Sequence, residues 1–85
     1  MNIDIYRRPE ANNRFTYLIV PHGQEIPQEA INVDWQLRRQ KVHIDETSHH
    51  LDGCEIDEPG AQIAEKGYAI TSVAHQVDGN AAALP

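Results

Sequence analysis

The chain has 85 residues, seven basic and thirteen acidic side chains, and a single cysteine. This length fits one small domain. The net charge of −6 disfavours a general nucleic-acid binder, which needs a basic surface. One cysteine excludes an internal disulfide, and no apolar run approaches the roughly 20 residues of a membrane span. We therefore expect a cytoplasmic protein with Cys54 reduced.

A hairpin is predicted at the start of the chain. Residues 2–7 alternate apolar and polar side chains with the period of a strand, and residues 14–20 predict a second strand. The second segment carries apolar residues on both faces, which predicts a central strand covered on both sides. Between the two segments, Pro9, Asn12 and Asn13 favour a tight reversal of the chain.

The middle of the chain gives weaker signals. Residues 26–31 predict a single helical turn. Residues 33–44 predict a strand near 35–37 and an extended piece near 42–44. Their apolar positions are out of phase, so a bulge or bend is needed at 38–41. A helix over 33–41 remains an alternative, because Arg, Gln and Leu favour helices.

The second half contains one helix and one further strand. Residues 45–58 lack periodicity and predict an acidic loop. Residues 59–66 predict a short helix that begins at a proline and ends before Gly67. Residues 68–73 predict the last strand.

These elements predict a small α+β domain over residues 1–74. Its sheet is mostly antiparallel, with three to four strands, and the one short helix packs on one face. The remaining residues, 75–85, are expected to form a frayed or disordered tail.

Charge is distributed unevenly along the sequence. Residues 1–44 have a net charge of +1, whereas residues 45–85 have a net charge of −7. Six acidic side chains lie between Asp45 and Glu58 with no basic residue among them. A surface polarised in this way favours pairing with a protein over binding to nucleic acid.

Four strings of the sequence resemble those of a known family. They are DIYRR at 4–8, YLIVP at 17–21, NVDW at 32–35 and IAEKGYAIT at 63–71. Together they resemble a family of small bacterial proteins classed as a domain of unknown function, over about residues 2–74. The resemblance implies a bacterial, cytoplasmic protein, and it implies no activity, ligand or site.

The acidic loop contains the residues best suited to a metal. His49, His50 and Cys54 combine imidazole and thiolate groups, which bind zinc or nickel. The spacing matches no established motif, so a solvated polar loop with a free thiol is the alternative. Acidic neighbours disfavour a nucleophilic thiolate at Cys54. We predict no catalytic residues, no cofactor and no enzymatic activity.

Two basic clusters and the sole tryptophan are the candidate interaction residues. The candidates are Trp35, Arg38, Arg39, Arg7 and Arg8. Trp35 is either a core residue or, if exposed, an anchor for a partner. We predict a protein–protein interaction or self-associating domain. The alternatives are a metal-binding protein and, third, a weak nucleic-acid-binding module that uses the arginines.

Overall fold

Two long antiparallel strands form the centre of the fold. In the computed structural model, which describes residues 1–30, 34–72 and 77–78, β1 (Asn2–Glu10) pairs along its length with β2 (Arg14–Pro21). A turn of 3-10 helix, Ala11–Asn13, joins them. Asn12 and Asn13 have positive φ angles of 62° and 56°, which asparagine tolerates better than most residues. The predicted hairpin is confirmed.

Shorter elements extend this hairpin into a sheet. After a 3-10 turn at Gln28–Ala30, β3 (Gln36–His43) pairs with β1, and β6 (Ala69–Ile70) pairs with β2. The strand order is β3-β1-β2-β6, all antiparallel, and β7 (Val77–Asp78) also pairs with β2. The other elements are a small hairpin, β4 (His50–Leu51) and β5 (Ile56–Asp57), and the helix α1 (Pro59–Lys66). The α+β prediction is confirmed.

Both faces of the sheet are covered, as expected for central strands. On one face, which we call face 1, β1 and β2 pack against the segment 44–66. The buried residues of face 1 are Ile3, Ile5, Tyr17, Ile19, Ile44, Cys54, Ile56 and Ala69. On the opposite face, face 2, Leu18 and Val20 pack against Ala30, with Trp35 and Tyr68 partly buried around them.

Strand β3 confirms the predicted bulge, and no helix forms over its residues. Two register shifts interrupt its pairing with β1. The aligned pairs on either side of them are Ile3–Val42, Ile5–Arg39 and Tyr6–Leu37. One extra residue therefore lies at Gln40–Lys41, opposite Asp4, and the other at Arg38. Because the two insertions cancel in the alternation, Leu37 pairs with Tyr6 of face 2 and Val42 pairs with Ile3 of face 1, so these two residues lie on opposite faces.

The helix α1 has the predicted bounds. Pro59 occupies its first position, and the N–H of Gly67, at φ 86°, donates to the carbonyl of Ile63 at 2.8 Å. Gly60 allows a close approach, because a Cβ there would lie 1.9 Å from the Glu46 carbonyl oxygen. In the part of the chain that the structure describes, no helix is long and apolar enough to cross a membrane.

Three segments differ from the sequence-based expectation. The stretch 45–58 is not loop throughout, because it contains the β4–β5 hairpin, whose Ile56 is fully buried. The last predicted strand is shorter, since β6 ends at Ile70. Within the predicted frayed tail, Val77–Asp78 pairs with β2. The other expectations for residues 73–85 lie outside the described residues.

Candidate interaction surface and adjoining cleft

Strand β3 forms one edge of the sheet and is exposed. Among the described residues it pairs only with β1, so its outer edge has no strand partner there. All six residues from Gln36 to Lys41 are exposed. Leu37 is 48% exposed and is the one large hydrophobic side chain classed as exposed in the described chain. Together with Arg38, Arg39 and Lys41, it makes this edge basic with an apolar contact point.

A buried carboxylate fixes the shape of this edge. Lys41 has a φ of 54°, and its N–H donates to Asp4 Oδ1 at 3.0 Å. His22 Nδ1 lies 2.7 Å from the same oxygen, and the N–H of Gly23 is 3.4 Å from Oδ2. Burial alone would raise the pKa of Asp4, but these hydrogen bonds outweigh it, so the pKa lies below its ordinary value. Asp4 is therefore ionised at neutral pH and holds the bulge.

Trp35 is partly buried and is held within its own chain. Its Nε1–H donates to the carbonyl of Ala30 at 2.7 Å. The guanidinium of Arg8 lies 4.8 Å from the centre of the indole ring and forms a 2.6 Å ion pair with Glu10. Trp35 thus packs on face 2 as a partly buried residue. It is neither a fully buried core residue nor a fully exposed anchor.

Arg7 lies on the other side of β1 from Arg8. Its guanidinium is 4.0 Å from the ring centre of Phe15, a residue that packs against the face 1 core. Arg7 Nε and the hydroxyl of Tyr17 are buried and have no hydrogen-bond partner among the described residues. Arg7 and Arg8 therefore do not form one cluster, because they lie on opposite faces of the sheet. Arg38 and Arg39 are exposed on the β3 edge.

A cleft opens at the end of β3. It has a volume of about 350 Å³ and is bounded by the end of β3, the following loop, the β4–β5 hairpin and the start of α1. The lining residues are Val42, His43, Ile44, Asp45, Ser48, His50, Leu51, Asp52 and Pro59. Apolar side chains are thus combined with two carboxylates, two imidazoles and one hydroxyl. Sequence analysis missed this cleft because its walls come from separate segments.

His50 is surrounded by carboxylates. Its Nδ1 lies 2.9 Å from Asp57 Oδ1, directly across the hairpin, and its Nε2 lies 3.0 Å from Glu55 and 3.6 Å from Asp52. The hydrogen bond to Asp57 raises the pKa of His50, partial burial opposes this, and the negative charges of all three neighbours add to the rise. Each ring N–H is therefore placed to donate a hydrogen bond to a carboxylate when His50 is charged.

The three predicted metal ligands are not brought together. His49 is 89% exposed and lies 2.7 Å from Glu58, whereas the side chain of Cys54 is fully buried in the face 1 core. Burial, reinforced by the charge of Glu55, raises the pKa of Cys54 to about 12. The expected solvated thiol is therefore a core residue. In the described part of the chain, no group of three or more His, Cys, Asp or Glu residues is arranged to hold a metal.

Comparison with known proteins gives a family and no function. No curated protein and no solved structure shows a significant match. Residues 1–77 match the family model described as "Family of unknown function (DUF6139)". This confirms the resemblance carried by the four sequence strings, and the match covers every described strand except the last residue of β7. The chain belongs to this family of unknown function.

Proposed function

We propose that this chain is a non-enzymatic protein-interaction domain whose contact surface is the β3 edge. The observation that carries the proposal is the run of exposed residues from Gln36 to Lys41 on an edge with no strand partner among the described residues. Leu37 supplies an exposed apolar contact, and Arg38 and Arg39 supply charge. Edge strands with apolar residues are favoured sites for contact with another chain.

The charge of the neighbouring segment favours a protein over a nucleic acid as the partner. Six acidic side chains follow β3 in the sequence, from Asp45 to Glu58. They would repel a phosphate backbone that lay along β3. In addition, Arg7 and Arg8 each cover an aromatic ring of this chain, so those rings are less open to stacking by bases. We assign the protein to the bacterial cytoplasm on the family resemblance.

Site-specific photo-crosslinking in the native host tests this proposal. A photoreactive phenylalanine analogue replaces Leu37 on the β3 edge or, as the matched control, Glu65, which is exposed on α1. We expect covalent protein adducts from position 37 and few from position 65. Adding Arg39→Glu to the first variant is expected to reduce its adducts, since it reverses a charge on the same edge.

The same experiment can refute the proposal. If position 37 yields no adducts, or no more than position 65, the β3 edge is not a contact surface. Circular dichroism of each variant checks that the fold is intact before adducts are compared.

A further inference from the structure

The β3 edge and the loop after it carry a charge pattern that is complementary to itself. Arg38 and Arg39 precede Val42 by four and three residues, and Asp45 and Glu46 follow it by three and four. Val42 is therefore the centre of a segment whose first half is basic and whose second half is acidic. All four charged residues are exposed, and Glu46 also forms a 2.8 Å ion pair with the amino group of Met1.

Resting on the proposed function, we propose that the partner is a second copy of this chain. The two β3 edges run antiparallel about a two-fold axis at Val42. In this register Arg39 lies opposite the partner's Asp45, and Arg38 lies opposite the partner's Glu46. Because the interface is two-fold symmetric, each of these ion pairs is formed twice.

Charge selects this register over others. Moving the axis toward the start of β3, for example to Arg39, places Arg39 of one copy against Arg39 of the other. Like charges opposite one another across neighbouring strands are destabilising. Lys41 lies opposite the partner's His43 in the proposed register. The same charges that discourage indiscriminate pairing of an edge thus permit the alignment centred on Val42.

In the proposed dimer, the partner's two arginines lie next to the cleft. Val42, His43, Ile44 and Asp45 line it, and these residues surround the proposed axis. Asp52 also lines the cleft and its side chain is fully exposed, so it offers a second carboxylate to the partner's guanidinium. Arginine binds carboxylates through two parallel hydrogen bonds, which defines orientation as well as charge. Because of the two-fold symmetry, each copy places its arginines at the cleft of the other copy.

The bulges in β3 determine what holds the two copies together. Because the register shifts at Arg38 and at Gln40–Lys41 disrupt the strand, a regular ladder of main-chain hydrogen bonds across the interface is short. Side-chain ion pairs then carry most of the attraction. Exposed ion pairs are individually weak and are screened by salt, so the dimer is expected to dissociate as the salt concentration rises.

Light scattering of the purified full chain at low and high salt is the first test. We expect a mass of twice 9.6 kDa at low salt that falls toward 9.6 kDa at high salt. Arg39→Glu and Asp45→Lys each place two like-charged pairs in the interface, and each is expected to weaken the dimer about tenfold or more. Arg14→Glu, which reverses an exposed arginine on β2, is the matched control and leaves the dimer intact.

Mixing the two charge-reversed variants is the decisive test. In a dimer of one Arg39→Glu chain and one Asp45→Lys chain, both symmetry-related pairs are again of opposite charge, so we expect the mixture to dimerise where neither variant does alone. Asp45→Lys also removes the hydrogen bonds that Asp45 accepts from Thr47. Mixing controls for this loss, because a misfolded variant would not be rescued by the other variant.

The outcomes separate this inference from the proposed function. A wild-type chain that stays monomeric at low salt overturns the dimer, whereas heterologous adducts from position 37 would still support the interaction surface. A dimer that both variants leave unchanged, or a mixture that stays monomeric, overturns the register. Adducts at position 37 of twice the chain mass, together with rescue by mixing, support both.

Discussion

Replacing Asp4 tests whether one buried carboxylate shapes the β3 edge. The side chain of Asp4 is only 6% exposed, and its Oδ1 accepts hydrogen bonds from Lys41 N–H at 3.0 Å and from His22 at 2.7 Å. Asp4→Ala leaves the Lys41 N–H without its acceptor, at a position where the backbone already has a φ of 54°. The bulge then loses the contact that offsets its unfavourable conformation.

The magnitude follows from these two short bonds. A hydrogen bond to a charged group contributes about 1.5–3 kcal/mol, and a buried donor left unsatisfied costs about 1–3 kcal/mol. Because His22 is partly exposed and can turn to water, we expect Asp4→Ala to lower the free energy of unfolding by about 2–4 kcal/mol. Asp4→Asn keeps one acceptor oxygen and is expected to cost about 1–2 kcal/mol.

Urea denaturation followed by Trp35 fluorescence and circular dichroism measures these losses at pH 7. Asp34→Asn is the matched control, because Asp34 is exposed. The Asp4 pKa lies below its ordinary 3.8 in the folded chain, so its contribution is full above that value and is lost as pH falls through the folded pKa. The difference between wild type and Asp4→Asn should therefore shrink below about pH 4. A cost of Asp4→Ala under about 0.5 kcal/mol would refute the assigned role.

Three further predictions concern the segment that covers face 1. Gly60→Ala is expected to lower the free energy of unfolding by about 1–3 kcal/mol, because its Cβ meets the Glu46 carbonyl oxygen. This loss is expected although alanine favours helices. A neutral result in urea denaturation would contradict that contact. His50, whose folded pKa is raised above 6.5, should add stability that is full below pH 6.5 and is lost as pH rises through the folded value. Comparing wild type with His50→Gln at pH 6 and pH 8.5 should show a small loss confined to the lower pH, since solvent screens the partly exposed Asp57 pair. Cys54 should react with a thiol reagent only after unfolding, and rapid labelling of the native chain would show that it is accessible.

Much of the fold was predictable because local patterns and tertiary packing agree. Several signals act over only a few residues: the alternation in β1, the apolar run in β2, the two asparagines of the turn, and the Pro59 and Gly67 ends of α1. The change of apolar phase between Leu37 and Val42 also predicted a bulge, but the structure has two, whose effects on the alternation cancel, so these two residues remain on opposite faces. What the sequence could not predict was the partner of that bulge, because Asp4 lies far from Lys41 along the chain and contacts it only after β1 and β3 pair.

The sequence predicted which residue types form the candidate site, but it predicted less well which of these residues lie together. Arg38 and Arg39 do lie on an exposed edge, but Arg7 and Arg8 separate because adjacent strand residues point to opposite faces. His49, His50 and Cys54 looked close in the sequence. Burial of Ile56 carries the hairpin onto face 1, and that packing takes Cys54 into the core while His49 remains exposed.

The sequence by itself determined the class of this protein: a small acidic α+β chain, related to a family of unknown function, with its negative charge concentrated after residue 44. Only the tertiary structure decided that the basic residues of β3 lie on a sheet edge, without a strand partner in the described parts of the chain, beside a cleft with carboxylates on its walls. The physical reason is that net charge and alternation are local properties of the chain. An edge and a cleft exist only once distant segments pack, because strand order and burial depend on contacts between residues far apart in the sequence.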